Sequence, residues 1–70
     1  MDKKTKELIA IGASVACNCH PCVKFHTNKA NDLNIEPELI RQAITVGKMV
    51  RKGTAEQLDE LINQRGLVRE

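Results

Sequence analysis

Apolar residues recur along this chain at helical spacing. Leu8, Ile11, Gly12 and Val15 stand at i, i+3, i+4 and i+7, and Ile9 and Ala13 widen the stripe. This predicts a first helix from about Lys3 or Thr5 to Ala16. Cys17-Asn18-Cys19-His20 interrupts the pattern. Pro21 suits the first position of a second helix, where its missing N–H costs nothing. That helix carries Cys22, Val23, Phe25, His26, Ala30 and Leu33, and should end near Asn34, which tolerates the left-handed conformation. A third helix starts at Pro37, with Glu38 at the positive dipole end and Ile35 placed to staple onto Ile40. Leu39, Ile40, Ala43, Ile44, Val46, Gly47 and Val50 give it a wide apolar surface, to be buried on two sides. Gly53 is expected to stop it. Thr54 then caps a fourth helix, with Gln57 completing a capping box and Leu58, Leu61 and Ile62 forming its stripe. Gly66 ends that helix, with Leu67 folding back onto Ile62. No alternating run or hairpin turn signals a strand. The fold class is all-α, a small four-helix single domain over residues 1–70.

Composition narrows the picture. Seventy residues with one aromatic, Phe25, bury only about 60% of their unfolded surface, so stability is marginal without an added device. The breadth of the third helix and the glycine inside it point to self-association as a homo-oligomer; packing of Gly47 within one chain is the competing explanation. The net charge of +2 is nearly balanced. Lys48, Arg51 and Lys52 form a basic concentration, read as complementing the negative end of the third helix. With no aromatics to stack bases, a nucleic-acid partner is not expected. No run reaches the roughly 18 apolar residues of a membrane span, so no membrane partner is expected. Met-Asp-Lys-Lys and the short apolar stretch after it do not make a secretory leader. A cytoplasmic location follows as an expectation, and there clustered cysteines are more often reactive or metal-binding than structural.

The chemistry concentrates in Cys17-Asn-Cys19-His20-Pro21-Cys22-Val-Lys-Phe-His26. Cys19 and Cys22 have C-x-x-C spacing, and a helix N-terminus there would stabilise a thiolate through unpaired N–H groups. His26 is four residues beyond Cys22, on the same helix face, where an imidazole could move a proton to or from a thiol. Cys22 is therefore the thiol expected to be activated. Glu7, among the apolar residues of the first helix, could orient that imidazole or could be a solvated face residue.

Glu7, eleven residues, Cys19-x-x-Cys22, three residues and His26 resemble the motif of the alkylhydroperoxidase-D-like, or carboxymuconolactone decarboxylase, family. The text around it, Glu7-Leu8-Ile9-Ala10-Ile11-Gly12 before and Pro37-Glu38-Leu39-Ile40 after, agrees, so the resemblance covers about residues 5–52. It implies an all-α fold, a homo-oligomer such as a trimer or hexamer, and reduction of hydroperoxides or disulfides through Cys19 and Cys22. Glu7 and His26 would be the proton relay, and no cofactor is implied. The branch with decarboxylase activity lacks the cysteine pair, so decarboxylation is not expected. Thiol-active members often carry a histidine just before the second cysteine; here Pro21 stands there and His20 one place earlier, and Cys17 is additional.

The leading expectation is a thiol–disulfide oxidoreductase or peroxidase, with a hydroperoxide or disulfide substrate and a thiol or reductase electron donor. Two others stand beside it. Cys17, Cys19, Cys22 and His26 could hold zinc, or Cys17 could join an iron–sulfur cluster. The chain could also be an oligomerisation module with an inert cysteine pair.

Overall fold

A computed structural model describes residues 1–68, which form three helices: α1 (Lys3–Ala16), α2 (His20–Asp32) and α3 (Pro37–Arg65). No strand occurs among the described residues, so the fold is all-α as expected. α1 begins where the Asp2 carboxylate accepts the Thr5 N–H at 2.7 Å, an N-cap. It ends in a Schellman arrangement around Asn18, which adopts φ 57°. The Cys19 N–H donates to Ser14 O and the Asn18 N–H to Val15 O. The end of α2 repeats this around Asn34, also at φ 57°, with Ile35 N–H donating to Ala30 O. Ile35 and Ala30 are both buried, which supplies the hydrophobic contact such a stop usually carries.

The helix count differs from expectation. Gly53 does not end a helix; α3 runs 29 residues, through Gly53, to Gly66, which takes the left-handed conformation at φ 55°. The predicted fourth helix is its C-terminal part. Thr54 does not cap: its hydroxyl donates back to Arg51 O at 2.9 Å, a bond compatible with an uninterrupted helix. One glycine costs a helix interior only about 1 kcal/mol, and good helix formers on both sides outweigh it.

The core lies between α1 and the first half of α3, with α2 against α1. Ile11, Ala30, Ile35 and Ile40 form its buried centre, flanked by Leu8, Leu33, Ala43 and Ile44. Ile35 and Ile40 thus share one cluster, as the staple requires. α3 runs the same way as α1, held close by glycine. A Cβ on Gly47 would stand 2.5 Å from Gly12 O and 2.8 Å from the Val15 Cβ. Gly47 is therefore explained within one chain, and the argument from it to self-association does not stand. Burial of α3 on two sides is met on one only. Leu39, Val46, Met49 and Val50 are exposed, and so is every residue from Thr54 to Arg65. Among the described residues no helix is long and apolar enough to cross a membrane.

Candidate active site

Two features of the α1–α2 corner create the local chemistry. The stop at Asn18 delivers the chain so that Cys19 occupies the N-cap of α2, with His20, Pro21 and Cys22 in its first turn. Cys19 and Cys22 are joined as a disulfide, their Cα atoms 5.2 Å apart. The Cys19 N–H is already used by Ser14 O, and Pro21 has none. The donors left at this helix start are the N–H groups of His20 and Cys22, which have no intrahelical acceptor.

The second feature spans the hairpin. Glu7 on α1 and His26 on α2 meet with Oε2 2.8 Å from Nδ1. Glu7 is buried, at 7% exposure, and its other oxygen lies 3.6 Å from Lys29 Nζ. The His26 hydrogen bond holds the Glu7 carboxyl below the ordinary glutamate range, the charges of His26 and Lys29 add to this, and burial works against it. An ionised carboxylate only accepts, so His26 Nδ1 must carry the hydrogen in this contact. In the neutral ring, Nε2 then holds the lone pair and is free to take a proton. The ring also meets Phe25 edge to face, with centroids 5.0 Å apart.

The four residues singled out by sequence therefore form two pairs: Cys19 bonded to Cys22, and Glu7 hydrogen-bonded to His26. His26 follows Cys22 by one turn of α2, which links the pairs. Cys17 stands apart as an exposed free thiol whose Sγ is 3.6 Å from Ser14 O. Among the described residues no three His, Cys, Asp or Glu side chains are placed to share a metal ion. The four-ligand set of Cys17, Cys19, Cys22 and His26 is thus not assembled in this arrangement, where two of its sulfurs are bonded to each other.

Sequence reasoning missed two cations. Lys29 was not singled out, although it lies one turn after His26 on the face that meets Glu7. The sequence pattern groups Arg51 with Lys48 and Lys52 at the end of a third helix, but α3 does not end there. The Arg51 Nη1 reaches Asn18 Oδ1 at 3.1 Å and Val15 O at 3.5 Å, so it complements the carbonyl end of α1 instead. Lys52 pairs with Glu56 within α3 at 3.8 Å.

Comparisons with curated proteins and with solved structures find no match. The model of the carboxymuconolactone decarboxylase family matches residues 1–57, a span holding all three cysteines, Glu7, His26 and Arg51. On that match, over most of its length, the chain belongs to the carboxymuconolactone decarboxylase family.

Proposed function

We propose that this protein is a dithiol oxidoreductase of that family, reducing hydroperoxides or disulfides through Cys19 and Cys22. The observation that carries the reading is the Glu7–His26 contact of 2.8 Å, made across 19 residues of sequence and one helical turn from a bonded C-x-x-C pair. A purely structural disulfide needs no oriented imidazole beside it.

In the reduced form, the start of α2 favours a thiolate through its free N–H groups. His26 takes the proton of Cys22 on Nε2 while Glu7 holds the ring in the tautomer that permits this. A thiolate attacks the terminal oxygen of a hydroperoxide. The S–O bond forms, the O–O bond breaks, and the alcohol leaves with a proton. The second thiol attacks the sulfenic sulfur, forming the Cys19–Cys22 bond and releasing water. Two electrons from a thiol donor then restore the dithiol.

We propose further that the working form is a homo-oligomer, a trimer or hexamer being the family expectation. The apolar residues on α3 that one chain leaves exposed support this, and the five buried apolar side chains among the described residues of a single copy make a thin core.

The test is turnover of tert-butyl hydroperoxide with dithiothreitol as donor, for the wild type, Cys22→Ser and His26→Gln. Cys22→Ser should abolish turnover. His26→Gln should slow it by about a hundredfold or more, the range of a lost general acid–base group, with the disulfide still able to form. Equal rates in all three would refute the reading.

A further inference from the structure

A cleft of about 370 Å³ opens beside the disulfide, and its wall carries a charge that the relay does not use. Cys19 and His20 line it from the start of α2, Asn18 from the corner and Arg51 from α3, over an apolar floor of Val15 and Val23. Cys22 and His26 are not among its lining residues. The disulfide therefore meets the cleft through Cys19, while Cys22 stands one turn of α2 before His26.

Arg51 is tethered there but not neutralised. The two hydrogen bonds of Nη1, to Asn18 Oδ1 and Val15 O, fix one edge of the guanidinium against the end of α1. No carboxylate among the described residues pairs with it. A guanidinium has five N–H donors in a planar fork suited to a carboxylate, so most of them are left for a ligand. The free N–H groups at the start of α2 favour negative charge at the same end of the cleft.

We propose that Arg51 determines specificity in the reductive half of the cycle, by holding the carboxylate of a small acidic thiol whose sulfur attacks Cys19. The proposal rests on the dithiol reading above. The donor thiolate forms a bond to Cys19 Sγ and the Cys19–Cys22 bond breaks. Its electron pair leaves on Cys22, which takes a proton from protonated His26. A second donor thiolate then attacks the first donor's sulfur, forming the donor disulfide and releasing Cys19 as thiolate. Two thiols are oxidised and one protein disulfide is reduced. The cleft is at the lower end of small-molecule sites in size, which suits a donor of a few heavy atoms beyond its sulfur and carboxylate.

The experiment measures reduction of the oxidised full chain by mercaptopropionate, mercaptoethanol and cysteamine, with rates expressed per thiolate. Wild type should favour the carboxylate thiol over the neutral one by about tenfold, the scale of one charge-assisted hydrogen bond, and the ammonium thiol should be slowest. Added salt should compress the ranking. Arg51→Gln should flatten it to within about twofold; the readout is the ratio of the carboxylate thiol to the neutral one, which a general slowing of exchange at Cys19 would leave unmoved. Arg51→Lys should retain part of the ranking, and Lys52→Gln, outside the cleft, all of it. Absence of a charge ranking in wild type, or an unchanged ranking in Arg51→Gln, would overturn the assignment while the dithiol reading stands. A disulfide that none of the three thiols reduces would instead sink the dithiol reading. Should Arg51→Gln fail to fold, the salt series and Arg51→Lys decide: a ranking insensitive to salt and undiminished in Arg51→Lys refutes the role of the guanidinium.

Discussion

Alanine at two glycines of one helix should move stability in opposite directions. At Gly47 an added Cβ would meet Gly12 O at 2.5 Å and the Val15 Cβ at 2.8 Å. Ordinary contact begins near 3.4 Å, so α1 and α3 must part by about 0.9 Å along that line. The obstacles are a backbone carbonyl and the root of a β-branched side chain, and neither can swing away. Overpacking of this kind costs about 1–3 kcal/mol. Two such contacts below 3.0 Å put the cost in the upper part of that range, about 2–3 kcal/mol. The gain of alanine over glycine in a helix returns about 1 kcal/mol, so a net loss of about 1–2 kcal/mol remains. A 70-residue chain has roughly 4–10 kcal/mol in total, and each kcal/mol is worth about 4–8 °C in Tm at this size. Gly47→Ala should therefore lower Tm by roughly 5–15 °C. At Gly53 a Cβ would meet nothing within 4 Å, and the backbone is helical. Gly53→Ala should gain about 0.5–1 kcal/mol and raise Tm by roughly 3–6 °C. Far-ultraviolet circular dichroism at one protein concentration reads both, since self-association makes Tm depend on concentration. A Gly47→Ala protein as stable as wild type would refute the close approach of α1 and α3. A destabilised Gly53→Ala protein would restore the break between a third and a fourth helix.

Two further outcomes follow from the same geometry. Glu7 titrates below its ordinary range in the folded chain, so its ion pair stabilises fully above the unfolded value and is lost as pH falls through the folded one. The Tm gap between wild type and Glu7→Gln should be constant near neutrality and close at acid pH; a gap that persists below the glutamate range would refute the paired carboxylate. In light scattering, the wild-type mass should exceed one chain, and glutamate at both Leu58 and Leu61, exposed in the single copy, should reduce it. A wild type with the mass of one chain would refute self-association.

What sequence could show depended on how far apart the cooperating residues lie. Asn34, Pro37 and Gly66 act within a turn of themselves, and each stands where its conformational preference placed it. Gly53-Thr54 carries the same local signature as a true boundary, and nothing within a turn distinguishes it. The difference is that no second element packs there to reward a change of direction, while continuing the helix keeps its hydrogen bonds. Gly47 was legible as a close approach but not as to its partner, which is Gly12 on α1. The site divides in the same way. The C-x-x-C at a helix start is a local pattern. Glu7 with His26 spans 19 residues, and it was the family resemblance, not the spacing, that raised Glu7 above a solvated residue. Arg51 spans 33 residues to Asn18. Its meaning depends on α3 running parallel to α1, and on its reaching the end of a helix other than its own.

That dependence bears on how so small a chain holds a reactive pair in register. The bonds that end α1 also aim the start of α2: Ser14 O takes the Cys19 N–H, and Val15 O takes the Asn18 N–H and lies within reach of Arg51. The corner is thus fixed by backbone atoms of α1 and one side chain of α3, with little demand on the thin apolar core. Cys19, at the N-cap, is held by that corner, while Cys22 sits in the first turn of α2, one turn before His26. Opening the disulfide can then free Cys22 Sγ without disturbing the corner, because no atom of Cys22 takes part in ending α1. The two cysteines are inequivalent by construction: Cys19 lines the cleft and Cys22 does not, and the proposed relay residue His26 lies one turn beyond Cys22. Exchange with an outside thiol at Cys19 and protonation at Cys22 are the division of labour this inequivalence favours.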